Sequence, residues 1–441
     1  MRLKLLCVAL IAAAFPASAV SAADQSPPAP ETAAQKEVRL KWWREARFGM
    51  FIHWGPVSQK GTEISWSRDA IGREAYDNLY KTFNPVKFDA KEWVSIAKAA
   101  GMKYIVFVAK HWDGFCEWPT KTTDYNIGNS PFKRDVCGEL AREAHKAGIK
   151  IGWYFCPPDL HDPDCLTDRN DIFVRRMQTQ LTELLSNYGP ISLLWFDYAA
   201  HPEKSPWDQE NTYKLVKKLQ PAIIMDNRLD MVTMSDYNSM IMGPNADYYT
   251  PEQRIGGYDE MTPWETCMTI GTQWSWKPND DIKSTAECLR SLIQCTGGDG
   301  NLLLNVGPTP LGEIEPRQVE RLKDMGLWLK KYGESIYCTR GGPFKPNSAV
   351  ASTRKGDVIY VHVLKPQAGP LALPPISRKI KSAALLTGGK VSFKQSAEDI
   401  TLDIPNEAAS SLDTIVKLKL DGSAMDIPAV AVPDRREPEL K

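Results

Sequence analysis

Several polar side chains end, or just follow, apolar runs in this sequence: His53, His111, Tyr154, Asp197 and Arg228, with two carboxylates, Glu252 and Glu265, in the stretch beyond. Each alone has a plainer reading. A strand-end Asp caps helices and opens turns, and a half-buried His more often satisfies a local partner than a substrate. Together they describe carboxylates flanked by Arg, His and aromatic rings, which is the equipment of glycoside hydrolysis. There, one carboxylate lies below the anomeric carbon while a second group protonates the departing oxygen. Other chemistries lack their parts. The six histidines stand singly, with no H-E-x-x-H helix for zinc, and no G-x-S-x-G elbow presents a nucleophilic serine. No metal and no cofactor is expected.

Asp197 closes the run Ile191-Ser192-Leu193-Leu194-Trp195-Phe196 and is flanked by the aromatic faces of Trp195, Phe196 and Tyr198. A rigid strand end suits a nucleophile. In a retaining enzyme the two carboxyls lie only about 5 to 5.5 Å apart, and the acid must be protonated when substrate arrives. A loop carboxylate that the substrate desolvates meets that need.

The elements that hold these residues follow one grammar. Buried strands are read at Phe48–Gly55, Tyr104–His111, Ile149–Phe155, Ile191–Phe196, Ala222–Asn227 and Asn301–Val306. Helices are read between them at Lys91–Ala100, Arg134–Ala147, Ile172–Asn187, Gln209–Leu219 and Ile282–Cys295, two of them followed by a C-capping Gly, Gly101 and Gly148. Repetition of this unit predicts parallel α/β architecture closed into a (β/α)8-like, TIM-type barrel, whose active site lies at the carboxyl ends of the strands. Residues 243–278 carry few helical signals and read as a long functional loop over the mouth. After a helix at Arg317–Tyr332 the pattern changes to short alternating runs between Gly, Pro and Asn turns, which predicts a small antiparallel β-sandwich.

The expected domains are a signal peptide at 1–22, a disordered linker at 23–35, the barrel at 36–340, the sandwich at 341–428 and a loose tail at 429–441. Arg2 and Lys4 precede an apolar run from Leu5 to Phe15 and the small residues Ala17-Ser18-Ala19, so export to a periplasmic, secreted or lysosomal-type compartment is expected, without a membrane span. Lys and Arg total 54 and so do Asp and Glu, with no basic stripe, which argues against nucleic acid and for a neutral ligand. Sequence alone allows a homo-oligomer. Among the 14 Trp and 15 Tyr, those near strand ends can stack on the flat faces of sugars. The cysteines do not form a disulfide scaffold; Cys156 and Cys165, flanking a Pro/Asp-rich loop, are the one pair expected to bridge.

The motifs Phe51-Ile52-His53-Trp54-Gly55, Lys110-His111-Trp112-Asp113-Gly114-Phe115, Thr123-Asp124-Tyr125-Asn126, Leu194-Trp195-Phe196-Asp197, Trp264-Glu265 and the run from Gly297 to Pro308 resemble, in order, those of the retaining alpha-L-fucosidases. The resemblance spans roughly residues 38 to 340 and implies a fucosylated glycan as substrate, a double-displacement mechanism without metal, and a barrel followed by a β-sandwich. It implies Asp197 as nucleophile, and His53, His111, Tyr154 and Arg228 as holders of fucose hydroxyls. Trp66 lies near the position of the family's Glu-Trp pair, though here the order is Glu63-Ile64-Ser65-Trp66. Trp112 stands where many members have a second histidine, exchanging a hydroxyl contact for an aromatic surface. Glu252 matches the acid/base of some members and Glu265 is the alternative. Glu252 is preferred because a loop tip can reach the leaving oxygen, whereas Glu265 opens an apolar run. Two other functions stay open: a retaining glycosidase for a related sugar such as galactose, and a non-catalytic fucose-binding protein on the same fold.

Overall fold

The computed structural model describes residues 31–197, 206–231, 242–365, 369–410 and 412–433. The expected signal peptide, Tyr198 and residues 434–441 of the expected tail lie outside them. Two compact units divide the chain, Met1–Val38 and Arg39–Lys441. In the first, Thr32 and Gln35 form a reciprocal cap, with Gln35 N donating to Thr32 Oγ1 at 3.3 Å and Thr32 N to Gln35 Oε1 at 2.8 Å. The helix Ala33–Ala46 therefore starts inside the stretch expected as linker. Pro30 is the last proline there, and Ala, Gln, Lys and Glu follow.

The second unit is built on seven parallel strands: β1 (Phe48–Ile52), β2 (Tyr104–Lys110), β3 (Lys150–Phe155), β4 (Leu193–Phe196), β5 (Ile224–Met225), β6 (Glu265–Thr269) and β7 (Asn301–Val306), ordered β5-β4-β3-β2-β1-β7-β6. Apart from Lys150, every residue in them is buried. Alternate side chains serve different cores. Phe51, Val106, Tyr154, Trp195, Cys267 and Leu303 pack together inside the curled sheet. Ile52, Phe107, Phe155, Phe196, Met268 and Leu304 belong to the larger core shared with the helices. Both faces being apolar is why the runs of β1 to β5 and β7 read as continuous.

The helices follow their sequence signals. Ala90–Ala99 starts where the Asp89 side chain accepts from Lys91 N and Glu92 N. Val136–Ala147 starts at Asp135 and stops at Gly148, whose φ of 71° is left-handed and costs glycine little. Asn170–Ser186, Gln209–Leu219, Thr285–Gly297 and Pro316–Tyr332 complete the connecting and flanking set. None of the described helices is long and apolar enough to cross a membrane.

Two sequence expectations are revised here. The stretch 243–278 is not one long loop, because it contains β6. Its sequence Glu-Thr-Cys-Met-Thr mixes polar and apolar residues and hides a strand that is buried throughout. The expected eight-stranded barrel is met in part. Between the sheet edges β5 and β6 the described residues form no continuous strand; residues 247–253 make isolated parallel bridges, Asp226 to Tyr248, Tyr249 to Trp264 and Glu252 to Cys267. Backbone bonds Asp247 N to Met225 O (2.8 Å) and Gln253 N to Cys267 O (3.0 Å) fasten that segment to both edges.

Beyond the Pro316–Tyr332 helix, five antiparallel strands (Arg340–Gly341, Val350–Lys355, Val358–Val363, Ile380–Leu385, Thr414–Leu420) form one sheet and three (Leu371–Leu373, Ser392–Gln395, Ile400–Asp403) another. Val361 and Val416 of the first share a core with Leu371 and Ile400 of the second. Val430–Ala431, at the start of the expected tail, pairs with Phe344–Lys345.

Candidate active site

Because the strands are parallel, their carboxyl ends gather at one mouth. His53 follows β1, His111 follows β2, Tyr154 lies near the end of β3, Asp197 follows β4, and Arg228 opens the short turn Arg228–Asp230 after β5. Glu252 comes from the segment that bridges β5 and β6. All of these, with Trp195 and Trp66, line one cavity of about 90 Å³.

Arg228 organises it. One guanidinium nitrogen donates to Asp197 Oδ1 at 2.6 Å, another to Glu252 Oε2 at 2.7 Å, and Nε to Thr250 Oγ1 at 2.8 Å. Its planar group lies 4.4 Å from the Trp195 ring centroid, a cation–π contact in a site where the Arg side chain is 1% exposed. Asp197 also accepts from Tyr154 Oη at 2.8 Å. Burial alone would push the Asp197 carboxyl up; the charge and hydrogen bond of Arg228, with the bond from Tyr154, outweigh it and hold the group below the usual carboxylate range. Asp197 is thus held as an anion at the cavity wall. Behind it, Asp226 is buried, its carboxyl pushed well up by burial, and its Oδ1 accepts from Phe196 N at 3.2 Å.

The two histidines are neutral. Burial, then the neighbouring His111, lowers His53 to about 3, and burial lowers His111 to about 4. Each has its Nδ1 occupied: His53 by Asn305 Oδ1 at 2.7 Å, His111 by Ser65 Oγ at 2.6 Å. The His111 ring stacks on Tyr154 at 5.3 Å between centroids.

Glu265 and Trp112 are the expected residues that do not line the cavity. Glu265 is the first residue of β6, in register with Asn301 at the start of β7, so it sits at the amino-terminal end of the sheet. It is fully buried, accepts from Tyr104 Oη and from Trp43 Nε1 (3.3 Å), and burial raises its carboxyl to about 7. Trp112 is half-buried and backs Trp66 edge-on, with centroids 5.5 Å apart, while Trp66 is 55% exposed at the rim. Sequence reasoning did not single out Trp274, Cys267, Phe51, Asn305 or Ser65. Phe51 and Asn305 stand in the quoted motifs, whereas Trp274 had only its place in an aromatic-rich stretch. Cys156 and Cys165 are free thiols: Cys156 Sγ donates to Asp197 O at 3.3 Å, and Cys165 Sγ accepts from Asp159 N at 3.4 Å, so the expected bridge is absent. Among the described residues no cluster of three or more His, Cys, Asp or Glu is arranged to hold a metal ion.

Comparison with known proteins settles the kinship of this pocket. The model of the alpha-L-fucosidase family matches residues 14–334. The chain belongs to that family. It is similar to human tissue alpha-L-fucosidase, 30% identical over 383 residues that cover 78% of this chain and 80% of the human one. The alpha-L-fucosidase of Branchiostoma floridae is 28% identical over 412 residues, covering 84% and 90%. Among solved structures, alpha-L-fucosidase isoenzyme 1 from Paenibacillus thiaminolyticus superposes with a TM-score of 0.78 at 32% identity, covering 88% of this chain and 99% of its own. An alpha-L-fucosidase of Bacteroides thetaiotaomicron, trapped as a covalent intermediate with 2-fluoro-fucosyl fluoride, gives 0.78 at 25% identity over 87% and 96%. The protein is a glycoside hydrolase of the alpha-L-fucosidase type.

Proposed function

We propose that this hydrolase removes terminal alpha-L-fucose from oligosaccharides or glycoconjugates by a retaining, double-displacement route, at the mouth of a (β/α)8-like barrel. The observation that carries the reading is the pair Asp197 and Glu252 joined through one buried guanidinium, which keeps two carboxylates within reach of the same small cavity. A compact cavity rather than a long groove suits one terminal sugar, hence exo action. Asp197, ionised and anchored by Arg228 and Tyr154, attacks the anomeric carbon as the glycosidic oxygen leaves with a proton from Glu252. The glycosyl ester then breaks when Glu252 takes a proton from the water that attacks the same carbon, which returns Asp197 as a carboxylate and restores the acid. Glu252 is the more open of the two, 31% exposed against 16%, as a group that trades protons with leaving group and water needs. His53, His111, Tyr154 and Arg228 hold the sugar, Trp195 backs Arg228, and Trp66, supported by Trp112, receives what lies outside the cavity. The relative trapped as a covalent intermediate supports the two-step route. The basic and apolar leader supports export from the cytoplasm.

Azide separates the roles. With an activated aryl fucoside, Glu252→Ala turns over slowly and azide restores it as the α-fucosyl azide, whereas Asp197→Gly with azide gives the inverted β-fucosyl azide. If Glu265→Ala, and not Glu252→Ala, yields the α-azide, the acid/base assignment is wrong. If wild type releases β-fucose first, the retaining route is wrong.

A further inference from the structure

The side chain of Asn305 is buried at the end of β7, next to β1, with Phe51 as its register partner. It makes two contacts whose chemistry leaves no freedom. Its Nδ2 lies 2.7 Å from the carbonyl oxygen of Trp274, which only accepts, so the amide nitrogen must face that carbonyl. Its Oδ1 then faces His53 Nδ1 at 2.7 Å. An amide oxygen only accepts, so the proton of the imidazole must be on Nδ1. The Trp274 carbonyl is itself fixed, because the Glu63 carboxylate accepts from Trp274 N at 2.7 Å and Ser275 N at 3.1 Å. The amide cannot turn over: rotation would set oxygen against oxygen at Trp274.

We infer that Asn305 is a positioning residue that locks His53 in its Nδ1–H tautomer, so that the cavity meets the sugar at this point with an acceptor, the bare Nε2. This rests on the fucosidase reading for the identity of the sugar, while the tautomer stands on the geometry alone. The ligand class follows: Nε2 takes a hydroxyl that donates, and refuses a group that can only accept, such as an ether oxygen or a carbonyl. A sugar hydroxyl in that place must then send its proton to His53 and offer its lone pairs elsewhere. Burial supports this, since an imidazole that stays neutral keeps its lone pair.

The test begins with the wild-type protein labelled with 15N at its six histidines. Two-bond proton–nitrogen correlation spectra at neutral pH, with the His53 signal assigned by its loss in His53→Ala, report which ring nitrogen carries the proton. The expected pattern has a pyrrole-type Nδ1 and a pyridine-type Nε2. A proton on Nε2, or on both nitrogens, overturns the inference, and this reading needs no Asn305 variant to fold. Asn305→Ala is then compared with wild type on an aryl fucoside and its 2-, 3- and 4-deoxy analogues. Loss of the lock is expected to mix the tautomers and lower kcat/KM by about 10- to 100-fold, the range for a buried hydrogen bond lost or left unpaired. For one deoxy analogue, lacking the donating hydroxyl, the two proteins should differ far less. An equal loss on every substrate assigns Asn305 a merely structural role. If no fucoside is hydrolysed by wild type, the proposed function fails while the tautomer is still read.

Discussion

Replacing Glu265 by Gln should stabilise the folded chain at alkaline pH relative to wild type and leave fucoside hydrolysis nearly intact. The reason is where the carboxyl sits. Burial raises it from 4.5 to about 7, with the bonds from Tyr104 and Trp43 offsetting only part of the desolvation. A carboxyl raised in the folded state contributes its stability below the unfolded value, near 4.5, and loses it as pH climbs through about 7. At about 1.4 kcal/mol per pH unit, the interval amounts to about 3 kcal/mol, fully felt only above pH 7. Gln does not titrate. Any packing change from the amide shifts all pH values alike, so the readout is the difference in unfolding free energy between variant and wild type, from denaturant melts at pH 4.5 and pH 8.5. That difference should move toward the variant by about 3 kcal/mol across the range, with kcat on an aryl fucoside within a few-fold of wild type. A flat difference would refute the burial argument. A hundredfold fall in kcat would show that Glu265 acts on substrate, against its place outside the cavity at the first residue of β6.

Asp299 offers the opposite sign. It is buried between Arg47 (2.6 Å) and Arg340 (2.8 Å) and accepts from Gly341 N at 2.9 Å, tying the turn before β7 to the first strand of the C-terminal sheet. Burial pushes its carboxyl up, but the two guanidinium groups prevail and hold it low. Asp299→Asn strands buried positive charge, so chemical denaturation near pH 7 should show a loss of about 3 to 5 kcal/mol that shrinks as pH falls below about 4. At the rim, Trp66→Ala should raise KM several-fold for fucosylated oligosaccharides and leave fucosyl fluoride, which has no sugar leaving group, almost unchanged. Trp112→His should give a smaller version of the same split, since Trp112 supports Trp66 rather than lining the cavity. Equal effects on both substrates would remove these rings from the leaving-group side.

Legibility tracked the kind of physics behind each residue. The runs that became β1, β2, β3, β4, β5 and β7 could be read because both faces of a parallel strand are apolar, and β6 could not because Glu265, Thr266 and Thr269 are polar residues buried among its apolar ones. His53, His111, Tyr154, Asp197 and Arg228 stood out as polar residues ending apolar runs, a pattern that survives in one dimension. Trp274 did not. It belongs to the cavity because Glu63 and Asn305 hold its backbone from 211 and 31 residues away, and no local pattern encodes such partners.

What the chain of letters determined was the set of strand-end groups and the kinship carried by its motifs. Only the tertiary structure decided how those groups divide. Glu252 and Glu265 are close in sequence, yet Glu252, bridged to Cys267, lines the cavity, while Glu265, the first residue of β6, lies outside it. Arg228 joins Asp197 to Glu252, and Tyr104 and Trp43 enclose Glu265. The two carboxylates differ through what surrounds them, because solvation and neighbouring charge, set by the fold, govern what a carboxyl can do.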